Sequence, residues 1–265
     1  METRFETIEY SISESLATVT FSRPEVHNAF NDVMIKELLE VFQAISERKD
    51  VRVVVLTGRG KSFCAGADLN WMRRVKEYSY EENLKESLTL ADLFCRVYTL
   101  SLPTIAKVNG AAIGGGTGFV AVCDLAIASE TSKFSFSEVK LGLVPACISP
   151  YVVRKVGEGA CREFFLSGER LPAQRALRHG LVNQVAAPEK LDGVVQMWCE
   201  QLLSSGPNAL ATCKELLQKV PQMSLEEAKT YTARVIASLR VSEEGQEGML
   251  SFLEKRRPKW RVGQA

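Results

Sequence analysis

Residues 51–57 read Val-Arg-Val-Val-Val-Leu-Thr and residues 103–109 read Pro-Thr-Ile-Ala-Lys-Val-Asn, each followed by glycine and then by a helical stretch. A run that is apolar on both faces must be covered on both faces, and helices packed on a parallel sheet do that. In residues 121–128 a helix ends and a third strand starts. Strand and helix alternate to about residue 195, which predicts an α/β fold with mostly parallel strands. Upstream, residues 5–12 and 16–21 predict a hairpin that Arg23-Pro24 stops. An amphipathic helix follows from about Asp32, with Val33, Ile35, Leu38, Leu39, Phe42 and Ile45 at helical spacing. Beyond about residue 195 helix formers dominate. The chain therefore divides into a core, residues 1–195, and a helical region, residues 196–265, too short to hold much core of its own and read as an oligomerisation arm.

Composition removes several classes of function. With 46% hydrophobic residues in 265, the chain can bury a core without staples. Lys and Arg number 33 against 32 Asp and Glu, a net charge of +1, so no global field draws nucleic acid or an anionic membrane. No apolar stretch approaches the roughly 18 residues of a membrane helix. Seven cysteines without a CxxC pair, and no apolar leader, place the chain in a reducing cytoplasm. Two histidines leave little material for a metal centre or a Ser-His-Asp triad, and HExxH, GxSxG and GxxxxGK[ST] are absent.

Three segments carry chemistry. Ser62-Phe-Cys-Ala-Gly-Ala-Asp-Leu-Asn70 joins a strand to a helix through small residues, so a ligand can approach free N–H groups; a plain turn with an Asp cap is the competing reading. Asn109-Gly-Ala-Ala-Ile-Gly-Gly-Gly-Thr-Gly118 bares amides where a helix dipole is positive. It is not a GxGxxG dinucleotide loop, because position 119 is Phe. In residues 133–140, period-2 alternation places Phe134, Phe136 and Glu138 on one apolar face of a strand. A carboxylate there is desolvated and its pKa rises toward the range useful for proton transfer. Two N–H sites and one base suit the enolate of a thioester.

Phe63-Cys-Ala-Gly-Ala-Asp-Leu69, Asn109-Gly-Ala-Ala-Ile-Gly-Gly-Gly116, Cys123-Asp124 and Ser137-Glu-Val-Lys-Leu-Gly-Leu-Val-Pro145 resemble the signature of the enoyl-CoA hydratase/isomerase (crotonase) superfamily. Arg23-Pro24, Asn28-Ala29, Leu166-Ser-Gly168 and the tail 247–256 also fit, so the likeness covers nearly the whole chain. The resemblance implies a spiral of ββα repeats with a C-terminal helical trimerisation region, forming a homotrimer or a dimer of trimers. It implies an acyl-CoA substrate whose thioester oxygen is held by the N–H groups of Ala67 and Gly115, with Glu138 as catalytic acid/base. Val26, Ala65, Asp68, Leu69 and Asn70 would line the CoA path, and Phe252 and Lys255 would approach the CoA of a neighbouring subunit. No metal, redox cofactor, nucleic acid or membrane is implied, coenzyme A being part of the substrate.

Two departures bear on the reaction. Where the hydratases of the family carry a first glutamate, twenty residues before Glu138, this chain has Gly118. Hydration then falls to Glu138 alone or with another group, and a one-base site also fits Δ3,Δ2-enoyl-CoA isomerisation. The segment Pro145-Ala-Cys-Ile-Ser-Pro150, with Asp68-Leu-Asn-Trp-Met72 and Gly118, resembles bacterial 3-methylglutaconyl-CoA hydratases of leucine breakdown. Hydration of a short, branched 2-enoyl-CoA is the leading expectation. A non-catalytic acyl-CoA or RNA-binding relative is the reading from another class, and the chain has no basic, aromatic-interleaved patch for RNA.

Overall fold

In the computed structural model, which describes residues 5–261, a first compact unit holds residues 5–100 and 104–196. Strands β1 (Ile8–Ser13), β2 (Leu16–Phe21) and β3 (Val53–Gly58) begin one sheet. The short β4 (Ser62–Cys64) begins another. Next come β5 (Thr104–Val108), β6 (Ala111–Ile113), β7 (Leu125–Ser129), β8 (Lys133–Ser135), β9 (Arg170–Pro172) and β10 (Gln184–Ala186). The larger sheet runs β1-β2-β3-β5-β7-β10 and the smaller β4-β6-β8-β9. Only β1 with β2 and β8 with β9 pair antiparallel. The predicted α/β class with mostly parallel strands is therefore present, as two sheets rather than one.

Every residue of β3 is buried, as a strand covered on both faces requires. The β1–β2 turn places Glu14 and Ser15 at φ 50° and 67°, the left-handed pair that suits a tight hairpin. The first strand spans 8–13 rather than the expected 5–12: the Thr7 carbonyl still accepts from the Ser22 N–H in register, but its own N–H turns away to donate to Glu37 at 2.9 Å.

Helix α1 (Asp32–Glu47) is capped by Asn31, whose side chain accepts from the Met34 N–H, and it buries Met34, Ile35, Leu38, Val41, Phe42 and Ile45. Val33 and Leu39, expected on that face, flank it half-buried. Helices α2 (Leu69–Val75), α3 (Tyr80–Thr99), α4 (Gly115–Val122), α5 (Ser149–Ser167) and α6 (Ala173–Arg178) complete the layers. Phe119 of α4 lies 4.8 Å from Phe94, 5.1 Å from Phe21 and 5.9 Å from Phe30, ring centre to ring centre. The residue that broke the dinucleotide motif is thus the one that anchors α4 in the core.

Helix α7 (Leu191–Leu203) leads into a second compact unit, residues 101–103 and 197–261, with α8 (Pro207–Lys219), α9 (Leu225–Val241) and α10 (Glu243–Leu253). Within it the Lys214 ammonium donates to Leu102 O at 2.9 Å, and the Trp260 indole donates to Ser204 O at 3.1 Å.

Candidate active site

Strands β4, β6 and β8 are parallel neighbours, with Cys64 opposite Ala112 and Ile113 opposite Ser135. Their carboxyl ends release residues 65–68, 114–116 and 136–138 side by side. Ligands of open α/β sheets bind at such strand ends. The small sheet is what turns three distant segments into one place.

The first segment is held by a single parallel bridge between Phe30 and Ala67. Phe30 N–H donates to Gly66 O at 2.8 Å and Asp68 N–H donates to Phe30 O at 2.9 Å. Backbone groups alternate along an extended strand, so the Ala67 N–H points away from Phe30. Among the described residues it has no acceptor. Side chains fix the segment from behind. Asn28 donates to Ser62 O at 2.7 Å and to Arg59 O at 2.9 Å, and accepts from the Arg23 N–H at 2.9 Å. The Arg23 guanidinium pairs with Asp68 at 2.9 Å and donates to Ala29 O at 2.6 Å. Burial raises the Asp68 carboxyl, but the amides of Trp71 and Asn70 and the Arg23 guanidinium outweigh it and leave the pKa below the ordinary value.

The second segment is shaped by glycine. Gly114 sits at φ 54°, ψ −124°, and a Cβ there would lie 3.0 Å from Glu138 Oε1. A Cβ on Gly116 would lie 2.2 Å from Cys64 O, so α4 seats directly on the end of β4. Gly114 N–H donates to Ser135 O at 2.8 Å, whereas the Gly115 N–H, first in the helix, has no acceptor among the described residues. It lies at the positive end of α4.

Glu138 is not on a strand. β8 ends at Ser135, and residues Ser137–Leu141 form a 3-10 turn closed by Gly142 at φ 72°. The turn still folds the carboxylate inward. Oε2 is buried with no hydrogen-bond partner among the described residues, and Oε1 lies against Gly114. Desolvation holds the pKa above the ordinary carboxylate value.

The position of the absent glutamate is filled. A Cβ on Gly118 would stand 2.2 Å from Ile148 Cγ2 and 3.2 Å from the Phe94 ring, so a buried isoleucine takes the space a second carboxylate would need. Of the other expected residues, Val26 closes the turn Pro24–Val26 and Ala65 donates to His27 O at 3.0 Å, both half-buried. The Asp68 side chain is buried: it caps α2 by accepting from the Asn70 and Trp71 N–H groups and pairs with Arg23. Leu69, 70% exposed, and Asn70 begin α2 at the surface. Phe252, 82% exposed, and Lys255 lie at the end of α10 in the helical unit. Arg23 and Asn28 were not singled out as working residues. Their only signal was the bare recurrence of Arg-Pro and Asn-Ala after the hairpin. Among the described residues no three His, Cys, Asp or Glu side chains are arranged to hold a metal ion, and no helix is long and apolar enough to cross a membrane.

Fold and site together define an α/β protein with two backbone donors that lack acceptors among the described residues and one desolvated carboxylate, at the carboxyl ends of the parallel strands β4, β6 and β8. The enoyl-CoA hydratase/isomerase family profile matches residues 11–263, and the chain belongs to that family. A Thermus thermophilus protein described as a candidate enoyl-CoA hydratase is 40% identical over 92% of this chain and 97% of its own. The short-chain-enoyl-CoA hydratase of Clostridium acetobutylicum is 33% identical over 91% of this chain and 92% of its own. The crystal structure of an enoyl-CoA hydratase from Shewanella pealeana superposes with a TM-score of 0.94 at 38% identity, covering 98% of this chain and 97% of that one.

Proposed function

We propose that the chain is an enoyl-CoA hydratase that adds water across the 2,3 double bond of a short, branched 2-enoyl-CoA, with 3-methylglutaconyl-CoA ranked first. The observation that carries this reading is the buried Glu138 carboxylate packed against Gly114, its Oε2 without a partner, in a site with two N–H groups that have no acceptor among the described residues. The thioester oxygen accepts from Ala67 and Gly115. Glu138, ionised, takes a proton from water as the water oxygen bonds to C3. The C2=C3 electron pair moves onto the thioester as an enolate held by the two donors. Glu138 then gives the same proton to C2, and water has been added with every atom accounted for. Losing one donor in related chemistry costs ~10²–10³ in rate.

No second carboxylate is required in this sequence, which suits Gly118 packed under Ile148. The same packing favours one further reading, Δ3,Δ2-enoyl-CoA isomerisation, in which Glu138 carries a proton between C4 and C2. The chemistry uses only amides and one carboxylate, with CoA as part of the substrate. Exposed Val241, Leu250, Phe252 and Leu253 support assembly through the helical unit into a trimer or a dimer of trimers. Seven free cysteines fit a reducing cytoplasm. A panel of 2-enoyl, 3-enoyl and 3-methylglutaconyl thioesters, followed by product mass, tests the reading. Gain of one water from a branched 2-enoyl thioester is expected; double-bond migration at constant mass would replace hydration by isomerisation.

A further inference from the structure

Helix α4 presents Gly115 at one end, and its other end is held by an unusual device. The last carbonyls of a helix lack intrahelical partners. Here the Lys155 ammonium of α5 reaches Cys123 O at 2.6 Å, Val120 O at 3.2 Å and Ala121 O at 3.5 Å. Asp124, whose carboxylate accepts from the Thr104 N–H and hydroxyl, adds negative charge at the same place. Burial holds the Lys155 pKa below the ordinary lysine value, an effect that Cys123 and Asp124 only partly oppose, and the three carbonyls within reach fit an ammonium that donates.

Helix α4 needs such support. Gly115, Gly116 and Gly118 make it a weak helix by composition, and its eight residues place Gly115 roughly 12 Å from the far end. Without the ammonium, the last carbonyls of α4 lose their shared donor.

We propose that Lys155 is a positioning residue for hydration: its ammonium pins and neutralises the carboxyl end of α4, and so holds the Gly115 N–H in place and at positive potential toward the thioester oxygen. This rests on the reading of Gly115 as an oxyanion donor. A unit charge at that range in partly screened protein corresponds to about tenfold in rate.

The test uses the full chain, a 2-enoyl-CoA substrate and a conjugated dienoyl-CoA whose absorbance shifts red when its carbonyl is polarised. Lys155→Met is expected to lower kcat about tenfold with KM within about twofold, and to reduce the red shift of the bound dienoyl thioester. Lys155→Arg restores most of both. Val152→Ala, a cavity in the same helix at a fully buried position, serves as a stability control and lowers Tm without changing the red shift. If Lys155→Met does not fold, Lys155→Gln, which keeps a donor without the charge, carries the same test. A full red shift and kcat in the neutral variant, or an arginine variant as poor as the methionine one, overturns the proposal. Absence of any red shift in the unaltered protein defeats the oxyanion reading itself, and the role of Lys155 falls with it.

Discussion

The two backbone donors are presented by opposite means. Ala67 belongs to an extended segment tied by one bridge to Phe30 and clamped by the polar side chains of Arg23, Asn28 and Asp68. Gly115 belongs to a helix end seated by close packing, with glycines that let α4 approach Cys64, the Phe30 ring and Glu138. One arm is an electrostatic clamp and the other a close-packed fit. Charge substitutions should therefore loosen the first, and added carbon should break the second.

The largest effect is expected where the donor itself is removed. Ala67→Pro deletes an N–H that has no acceptor among the described residues, and should lower kcat ~10²–10³-fold with CoA affinity retained; steady-state kinetics with calorimetric CoA binding checks this. Next, Arg23→Met leaves the buried Asp68 carboxylate unpaired and should cost about 3 kcal/mol in urea unfolding. On the Gly115 arm the contact nearest the donor is steric, and Gly118→Ala should cost about 1–3 kcal/mol by overpacking. Combining it with Ile148→Ala should recover part of that loss, because the clash is with Ile148 Cγ2.

The smallest effect separates the arms by pH. Asp68 has a folded pKa below its unfolded value, so its stabilisation is present above the unfolded pKa and is lost as pH falls through the folded one. Glu138 is the reverse: its folded pKa is raised, so the stability linked to its protonation is present below the unfolded pKa and is lost as pH rises through the folded value. Glu138→Gln should flatten the second limb of a Tm–pH curve and leave the first unchanged.

Much of this molecule was legible before any coordinates. The long apolar strand β3 announced a sheet covered on both faces, and the glycine run announced a helix start with bare amides. The three-residue strands β4, β6 and β8 were not legible, because period-2 alternation needs more residues than they have. Yet they bring the site together. The alternation that put Glu138 on a strand stops at Ser135, and Phe136, at φ −112°, ψ 66°, turns the chain into the 3-10 turn. Its burial comes from packing against Gly114, a contact twenty-four residues away that no local pattern encodes. The pair of Arg23 with Asp68 spans forty-five residues, and the filling of the Gly118 space by Ile148 depends on the path of the loop before α5.

The central claim is that a single carboxylate, Glu138, moves the proton for a thioester held by Ala67 and Gly115. Its most direct test is Glu138→Gln, assayed for hydration of a branched 2-enoyl-CoA and, in parallel, for calorimetric binding of the same CoA thioester. The account predicts a fall in kcat of ~10²–10⁴-fold with binding within a few-fold of the unaltered protein. Turnover that survives the substitution would contradict it.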